Sequence, residues 1–240
     1  MGDLFYSVLY QPLYNLLVFV YNVVPFGGLG VAIIVLTIIV KMILLPLTYK
    51  SLKSQKELQE IQPKIAEIKE KFKDNKEAMA KELMGVYKNH NVNPFASCLP
   101  TIVQLFVFIA LYRVLAAGIQ TIDPGHLYSF ISNPGTMQHI FLGIDLAVVS
   151  IPLAVLAAVA QFFQARQMVS RRPPKAVQGA SASLDEDMAA TMNKMTLTVL
   201  PVMMLIIGST TLPGGLTLYI LVSTIVTFAI SAVFLKPVKK

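Results

Sequence analysis

Apolar residues run along this chain in blocks of about twenty, and within each block they are continuous rather than alternating. A helix needs about that length to cross the hydrocarbon core of a bilayer, and continuity favours helices over a barrel. Five spans are expected, at 29–49, 96–117, 141–165, 192–210 and 215–235. Ahead of them, residues 3–21 place Asp3, Ser7, Gln11 and Asn15 at every fourth position. Leu4, Phe5, Val8, Leu9, Leu13, Leu16 and Phe19 cover the other faces. This stripe predicts an amphipathic helix lying in the interface with its polar side to water. A signal peptide is the competing reading, and the opening Met1-Gly2-Asp3, with no basic n-region, argues against it.

Residues 50–93 break the apolar pattern with ten lysines and seven acidic residues. Leu58, Ile61, Ile65, Ile68 and Phe72 are spaced 3, 4, 3, 4, and Met79, Leu83 and Val86 are spaced 4, 3. With Asp74-Asn75 between them, they predict two amphipathic helices folded as a cytoplasmic antiparallel hairpin. Pro63 is expected to bend or break the first of these helices. Gly118, Pro124, Gly125, Pro134 and Gly135 mark 118–138 as a loop. The Pro/Ala/Ser-rich stretch within 166–190 reads as a cytoplasmic loop, LPGG joins the last two spans, and 236–240 is a basic tail.

Composition strengthens the membrane reading. Of 240 residues, 55% are hydrophobic and only 14% are charged, with mean hydropathy +0.64. Soluble domains are about a quarter charged. The expected class is an all-α polytopic membrane protein, a single domain over 1–240. Cys98 is the only cysteine, so no disulfide framework or cysteine metal cluster is expected.

The net charge of +7 invites a nucleic-acid reading until the basic residues are placed. Apart from Lys41 and Arg113, they fall in 50–93, at Arg166, Arg171, Arg172, Lys175 and Lys194, and in the tail, while 1–28, 118–140 and 209–216 hold none. With five spans, every basic segment lies on one side, so the amino terminus is expected outside and the carboxyl terminus in the cytoplasm. The charge then needs no DNA to explain it.

Lys41 is an ammonium inside the first span. From an entry near Leu29 it lies ~18 Å deep at ~1.5 Å per residue. Burying a charge there costs at least ~2.5 kcal/mol, so a wet cavity or a partner is expected, with simple snorkelling as the alternative. Thr37, Lys41 and Thr48 share one face of the first span, and Ser97, Thr101 and Gln104 share one of the second. Gln161 and Gln164 sit in the third, and Tyr219, Ser223 and Thr227 line a face of the fifth. Each alone suits ordinary helix–helix hydrogen bonding. Together they suit a polar groove around one positive charge that lacks a resident carboxylate.

Catalytic chemistry finds no footing. His90, His126 and His139 fall outside the expected spans, and there is no HExxH, no paired aspartates and no Gly-rich phosphate loop. No cofactor is expected.

Certain stretches carry a resemblance: YQPLYNLL before the first span, VKMILLPLTYKS within it, and IQPKIAEIKEKFK in the hairpin. NVNPFASCLPTIVQLFVFIALYRVL, FLGIDL and PGGLTLYILVS follow in order. The chain resembles the YidC/Oxa/Alb family of membrane protein insertases over nearly its full length, in the short bacterial form. The resemblance implies a five-span bundle with a hydrophilic groove open to the cytoplasm and to lipid. It maps the groove's basic residue to Lys41 and its polar lining to Gln104 and Gln164. It implies that the hairpin receives substrate, and that the cytoplasmic loops and tail meet the ribosome and targeting machinery, with the Sec translocon a further candidate partner. Nascent membrane proteins and the bilayer of a bacterial plasma membrane would be its other partners. Three positions depart from the family pattern: Lys41 stands for an arginine, Phe106 for a proline and Ile220 for a tryptophan. A small-solute or anion transporter using Lys41 is the alternative, disfavoured by the odd span count and the absence of visible repeats.

Overall fold

A computed structural model of the chain describes residues 3–24, 28–90, 92–93, 99–116, 122–170 and 195–234. The N-terminal segment is a short turn α1 (Asp3–Phe5), a π-helical turn (Tyr6–Tyr10) and α2 (Gln11–Val23). Then come α3 (Gly28–Ile43), α4 (Leu45–Glu60), α5 (Gln62–Lys71), α6 (Lys76–Asn89) and α7 (Leu99–Ala116). A small antiparallel ladder, β1 (Ile140–Phe141) with β2 (Ile144–Asp145), precedes α8 (Ile151–Ser170). The described chain ends with a π-helical turn (Met195–Val199), α9 (Leu200–Thr210) and α10 (Gly214–Phe234). Among the described residues, regular structure is helical apart from that short ladder and one isolated bridge between Val149 and Pro213.

The expected span over 29–49 is not one straight helix. α3 ends at Ile43, and α4 leaves at 60° to it. Pro46 accounts for the break, because it has no N–H for the Met42 carbonyl and its ring crowds the preceding turn. Helix resumes at once, with the Thr48 N–H donating to the Leu44 carbonyl at 2.9 Å. A second interruption falls at Ile61, where Pro63 sits in the first turn of α5, a position that tolerates proline. α5 and α6 fold back on each other, with Asn75 capping α6 by accepting the Ala78 N–H at 3.0 Å. Their seam is small: Ile61, Ile65 and Val92 are buried, and Leu58, Leu83, Val86 and Tyr87 pack around them.

The third expected span, 141–165, also needs correction, since its helix begins only at Ile151. FLGIDL is instead a tight hairpin whose turn residues, Leu142 (φ 51°) and Gly143 (φ 78°), both take the left-handed conformation that two-residue β-turns require. Pro152 then opens α8. α8 runs past 165 into the expected loop, whose remainder at 171–190 lies outside the described residues, as do 96–98, 117, 192–194 and 235–240. By length and apolarity, α10 suffices to cross a membrane, and the bent pair 28–43 with 45–58 makes a second such unit. Leu99–Leu115 and Met195–Thr210 are shorter apolar helices.

The expected polar stripe of the N-terminal helix faces water only in part: Ser7 is exposed and Gln11 half-buried, whereas Asn15 turns inward. Asn15 is only 2% exposed. Its amide donates to the Gln11 and His126 carbonyls at 2.8 and 2.9 Å and accepts the Tyr128 N–H at 2.7 Å. Leu4, Val8, Phe19 and Val23 are exposed instead. Asn15 serves as a dock for the loop beyond residue 122, because a loop's unpaired backbone groups need partners as much as they need water.

That loop caps one end of the bundle. The Leu29 N–H donates to the Gln138 carbonyl at 2.9 Å, and the Gln138 N–H donates to the Tyr21 hydroxyl at 2.8 Å. At the start of α10, the N–H groups of Gly214 and Gly215 donate to the Val148 and Leu146 carbonyls, each at 2.8 Å. A Cβ on Gly214 would lie 3.1 Å from the Asp145 oxygen, so this glycine serves close approach rather than a turn. The main core fills the capped end: Leu17, Val18, Leu29, Ile33, Leu36, Leu111, Leu146 and Leu216 are all at most 2% exposed. The opposite ends of α3, α7 and α10 carry few of these residues, and the polar site lies there.

Candidate functional site

α3 places Lys41 in its last turn, thirteen residues beyond Gly28. Carbonyls accumulate unpaired at a helix C-terminus, so an ammonium there opposes the negative end of the helix dipole, a stabilisation of ~0.3–1 kcal/mol. The break before Pro46 creates that C-terminus inside an otherwise apolar segment. Local backbone chemistry thus gives one reason for the lysine's position.

The ammonium is held by side chains from two other helices. Lys41 Nζ donates to Gln104 Oε1 of α7 at 3.0 Å and to Thr227 Oγ1 of α10 at 2.9 Å. Both partners are neutral, and among the described residues no carboxylate lies within ion-pairing distance of it. Each acceptor is itself oriented. Gln104 Nε2 donates to the Tyr219 hydroxyl, which turns Oε1 towards Lys41. The Thr227 hydroxyl donates to the Ser223 carbonyl at 2.7 Å, leaving its oxygen lone pairs for Nζ. Tyr219 is 1% exposed and Ser223 is 7% exposed, so both are walled in by the core.

Of the residues expected to line a groove, Lys41, Gln104, Tyr219, Ser223 and Thr227 come together. Thr37 does not join them: it is fully buried one turn towards the capped end, and its hydroxyl donates to the Ile33 carbonyl at 2.6 Å. Thr101 is exposed on α7. Gln164 is half-buried on α8 and is not hydrogen-bonded to Lys41. Thr48 lies past the bend, bonded to the Leu44 carbonyl at 3.0 Å, and Ser97 lies outside the described residues. Phe106 is exposed and Ile220 half-buried, packed on the core's edge.

Three features escaped sequence reasoning. Gln167 of α8 accepts from the Ser231 hydroxyl of α10, extending the polar contacts away from the capped end. Gln161 Oε1 is buried without a partner among the described residues. Arg113 stacks its guanidinium 5.6 Å from the centre of the Phe5 ring, near the capped end. The spacing of Gln161, Gln164 and Gln167 by three was the one visible signal for the α8 stripe. No group of three or more His, Cys, Asp or Glu that could hold a metal occurs among the described residues. Chemically, the site offers one cation, neutral acceptors and hydroxyls between helices, which suits binding polar or anionic groups.

Comparison with known proteins follows this geometry. A family model described as 60Kd inner membrane protein matches residues 19–240. A membrane protein insertase YidC from Fusobacterium nucleatum is 34% identical over 222 residues, covering 92% of this chain and 93% of that relative. Another from Pelobacter propionicus is 39% identical over 172 residues, 70% of this chain but 31% of the relative. One from Citrifermentans bemidjiense is 47% identical over 110 residues, 46% of this chain and 20% of the relative. The aligned region thus spans under a third of those two longer relatives.

Proposed function

The chain belongs to the 60Kd inner membrane protein family, and from that premise we propose that it is a membrane protein insertase of the bacterial inner membrane. In this reading the five expected spans form the bundle, the amino terminus lies outside, and the hairpin and the carboxyl terminus lie in the cytoplasm. The N-terminal helix lies in the outer interface, with Leu4, Val8 and Phe19 towards lipid and Asn15 on the capping loop. Lys41, Gln104 and Thr227 line a groove, backed by the buried Tyr219 and Ser223, that shelters the hydrophilic end of a nascent helix. Sheltering lowers the cost of carrying polar groups into hydrocarbon, and this requires no covalent chemistry. Nascent membrane proteins are the substrates, and the ribosome and targeting machinery meet the cytoplasmic segments.

The observation that carries this reading is Lys41 itself, a cation within an apolar bundle, held by neutral acceptors rather than a carboxylate. A pair with a resident acid would neutralise it; neutral acceptors leave its charge for a visitor. Asymmetry supports the direction of opening, since the core is packed at the capped end and the polar contacts lie towards the hairpin. The test is reconstitution of the purified chain in liposomes with a small membrane protein as substrate. Protease-protected, integrated substrate without solute leakage is expected. Solute movement without integration would replace this reading with a transporter. Cysteines placed at Ser129 and Ser181 in a background lacking Cys98 should label from opposite faces, and labelling from one face would remove the five-span arrangement.

A further inference from the structure

Leu142 is unfavourable in its place on two counts. Among the described residues it alone, glycines apart, holds a left-handed backbone, at φ 51°. Gly, Asn and Asp suit that conformation, whereas a leucine's Cβ crowds the following carbonyl. It is also 86% exposed, so the strain is not offset by burial within the protein. A residue serving only to turn the chain would be one of the three that fit. Strain without compensation inside the chain points to a contact outside it.

The turn does not stand clear of the bundle. Phe141, the residue before it, occupies the space that a Cβ on Gly30 would take, in the first turn of α3. Beyond the ladder, the Val148 and Leu146 carbonyls accept the N–H groups of Gly214 and Gly215 at the start of α10. The ladder thus sits level with the first turns of both helices. α10 is 21 residues long, so at ~1.5 Å per residue it matches a hydrocarbon core of ~30 Å. Its first turn then marks the outer hydrocarbon boundary, and the Leu142 turn lies at that level. Ile140, which alternation puts on the face opposite Phe141, is exposed too, as are Val148 and Ile151 where α8 begins. Exposed apolar residues continue along α8 at Val155, Leu156 and Val159. No Lys or Arg occurs between Arg113 and Arg166. Strand edges that face water carry charge, lysine above all, to prevent association. This one has no cation for a headgroup, so hydrocarbon fits it.

We infer that the Leu142 turn is a lipid anchor: Leu142 and Ile140 enter the acyl region of the outer leaflet and seat the capped end at the membrane boundary. This rests on the membrane arrangement proposed above and not on insertion activity. In hydrocarbon the leucine recovers by transfer from water what its backbone loses in strain.

The experiment uses the full chain, in a background lacking Cys98, reconstituted in phosphatidylcholine vesicles. Leu142→Cys, Ser129→Cys and Leu156→Cys are each labelled with an environment-sensitive fluorophore. The label at Leu142→Cys should be quenched by lipids brominated on their acyl chains and spared by aqueous iodide. Leu156→Cys, on the exposed side of α8, should behave alike, and Ser129→Cys should show the reverse. Leu142→Asn separates a lipid contact from a turn preference, because asparagine tolerates the left-handed backbone. The readout is amide exchange at Leu146, whose N–H donates to the His139 carbonyl at 2.9 Å. In vesicles Leu142→Asn should speed it about fivefold, one leucine withdrawn from hydrocarbon less the strain relieved.

Iodide quenching at Leu142→Cys equal to that at Ser129→Cys would put the turn in water and overturn the inference. Shielding from both quenchers would mean that protein, such as a second copy of the chain, covers the turn, which also overturns it. Exchange unchanged or slowed in Leu142→Asn would reduce Leu142 to a turn residue, with the same consequence. In all three cases the insertase reading still stands. If Leu156→Cys escapes the brominated lipids, the membrane arrangement itself fails and the inference falls with it.

Discussion

Tyr14 and Asp123, 109 residues apart, exchange two hydrogen bonds through a single phenol oxygen. The Tyr14 hydroxyl donates to the Asp123 carbonyl at 3.3 Å and accepts the Asp123 N–H at 2.9 Å. One side chain thereby satisfies both backbone groups of a loop residue, in the way a paired strand would. His126 sits beside it, bonded to the Tyr6 hydroxyl at 2.8 Å and edge-on to Tyr6, Tyr10 and Tyr14. The N-terminal segment and the capping loop are one clasp.

Tyr14→Phe keeps the ring and leaves the Asp123 N–H unpaired, while the Asp123 carbonyl still accepts the His126 N–H at 3.3 Å. The expected cost is about 1–3 kcal/mol. It should appear as a lower unfolding temperature in detergent and as faster amide exchange confined to 122–128 and the N-terminal segment. Unchanged exchange there would mean that the clasp is held elsewhere.

Alkali should open the same clasp. Burial raises the Tyr10 and Tyr14 phenols above the ordinary value of 10.0, with nearby Tyr6 and Asp123 adding to the shift and, for Tyr14, the Asp123 backbone bond opposing it. A raised folded-state value favours the neutral phenol. Its stabilisation is complete below pH 10.0 and is lost as pH climbs through the raised values. Spectrophotometric titration should find phenols ionising later than free tyrosine, with loss of N-terminal protection over the same range. Tyr14→Phe should remove part of that late titration.

Gly30 is the seat of Phe141. A Cβ at position 30 would overlap the Phe141 ring, on the strand before the Leu142-Gly143 turn. Gly30→Ala should destabilise the capped end by about 1–3 kcal/mol through overpacking. Adding Phe141→Ala should recover part of that loss, because the two residues share one space. Additive losses measured by thermal unfolding would contradict the contact.

Lys41→Arg should retain insertion, because a long-range attraction depends on charge more than on donor geometry. Lys41→Ala should impair substrates with acidic translocated ends more than those with neutral ends. Its folding should survive, since it removes a charge costing ~2.5 kcal/mol or more to bury. Equal activity of Lys41→Ala on both substrates would mean that the lysine only snorkels.

What could be read in the sequence, and what could not, divides along physical lines. Apolar periodicity located the hairpin seam at Ile61 and Ile65, because a 3–4 spacing has few other uses. It also placed Tyr219, Ser223 and Thr227 on one face; Thr227 bonds Lys41, Tyr219 bonds its partner Gln104, and the Ser223 carbonyl holds Thr227. Periodicity cannot say what a face meets. Asn15 in the polar stripe suited water and loop backbone equally well, and only the fold chose between them. Hydropathy was likewise blind to Phe141 and Leu142, apolar residues whose neighbour Gly143 makes a turn rather than a helix. Pro46 lay within an apolar run, where composition alone gives no bend angle. Gln167 and Ser231 lie 64 residues apart, a pairing that needs three-dimensional contact to see.

The break at Leu44 also has a mechanical meaning. α4 is 16 residues long, or ~24 Å from pivot to far end at ~1.5 Å per residue. Rocking it by ~10° about Leu44 therefore carries that end through ~4 Å, using the same rise. Lys41 lies on the other side of the pivot, tied to α7 and α10. A continuous helix would transmit every push on the hairpin to the ammonium as torque. The joint would let α4 swing like an oar in a rowlock once its own moorings, Tyr49 on Phe234 and Ser54 on the Asn93 carbonyl, give way.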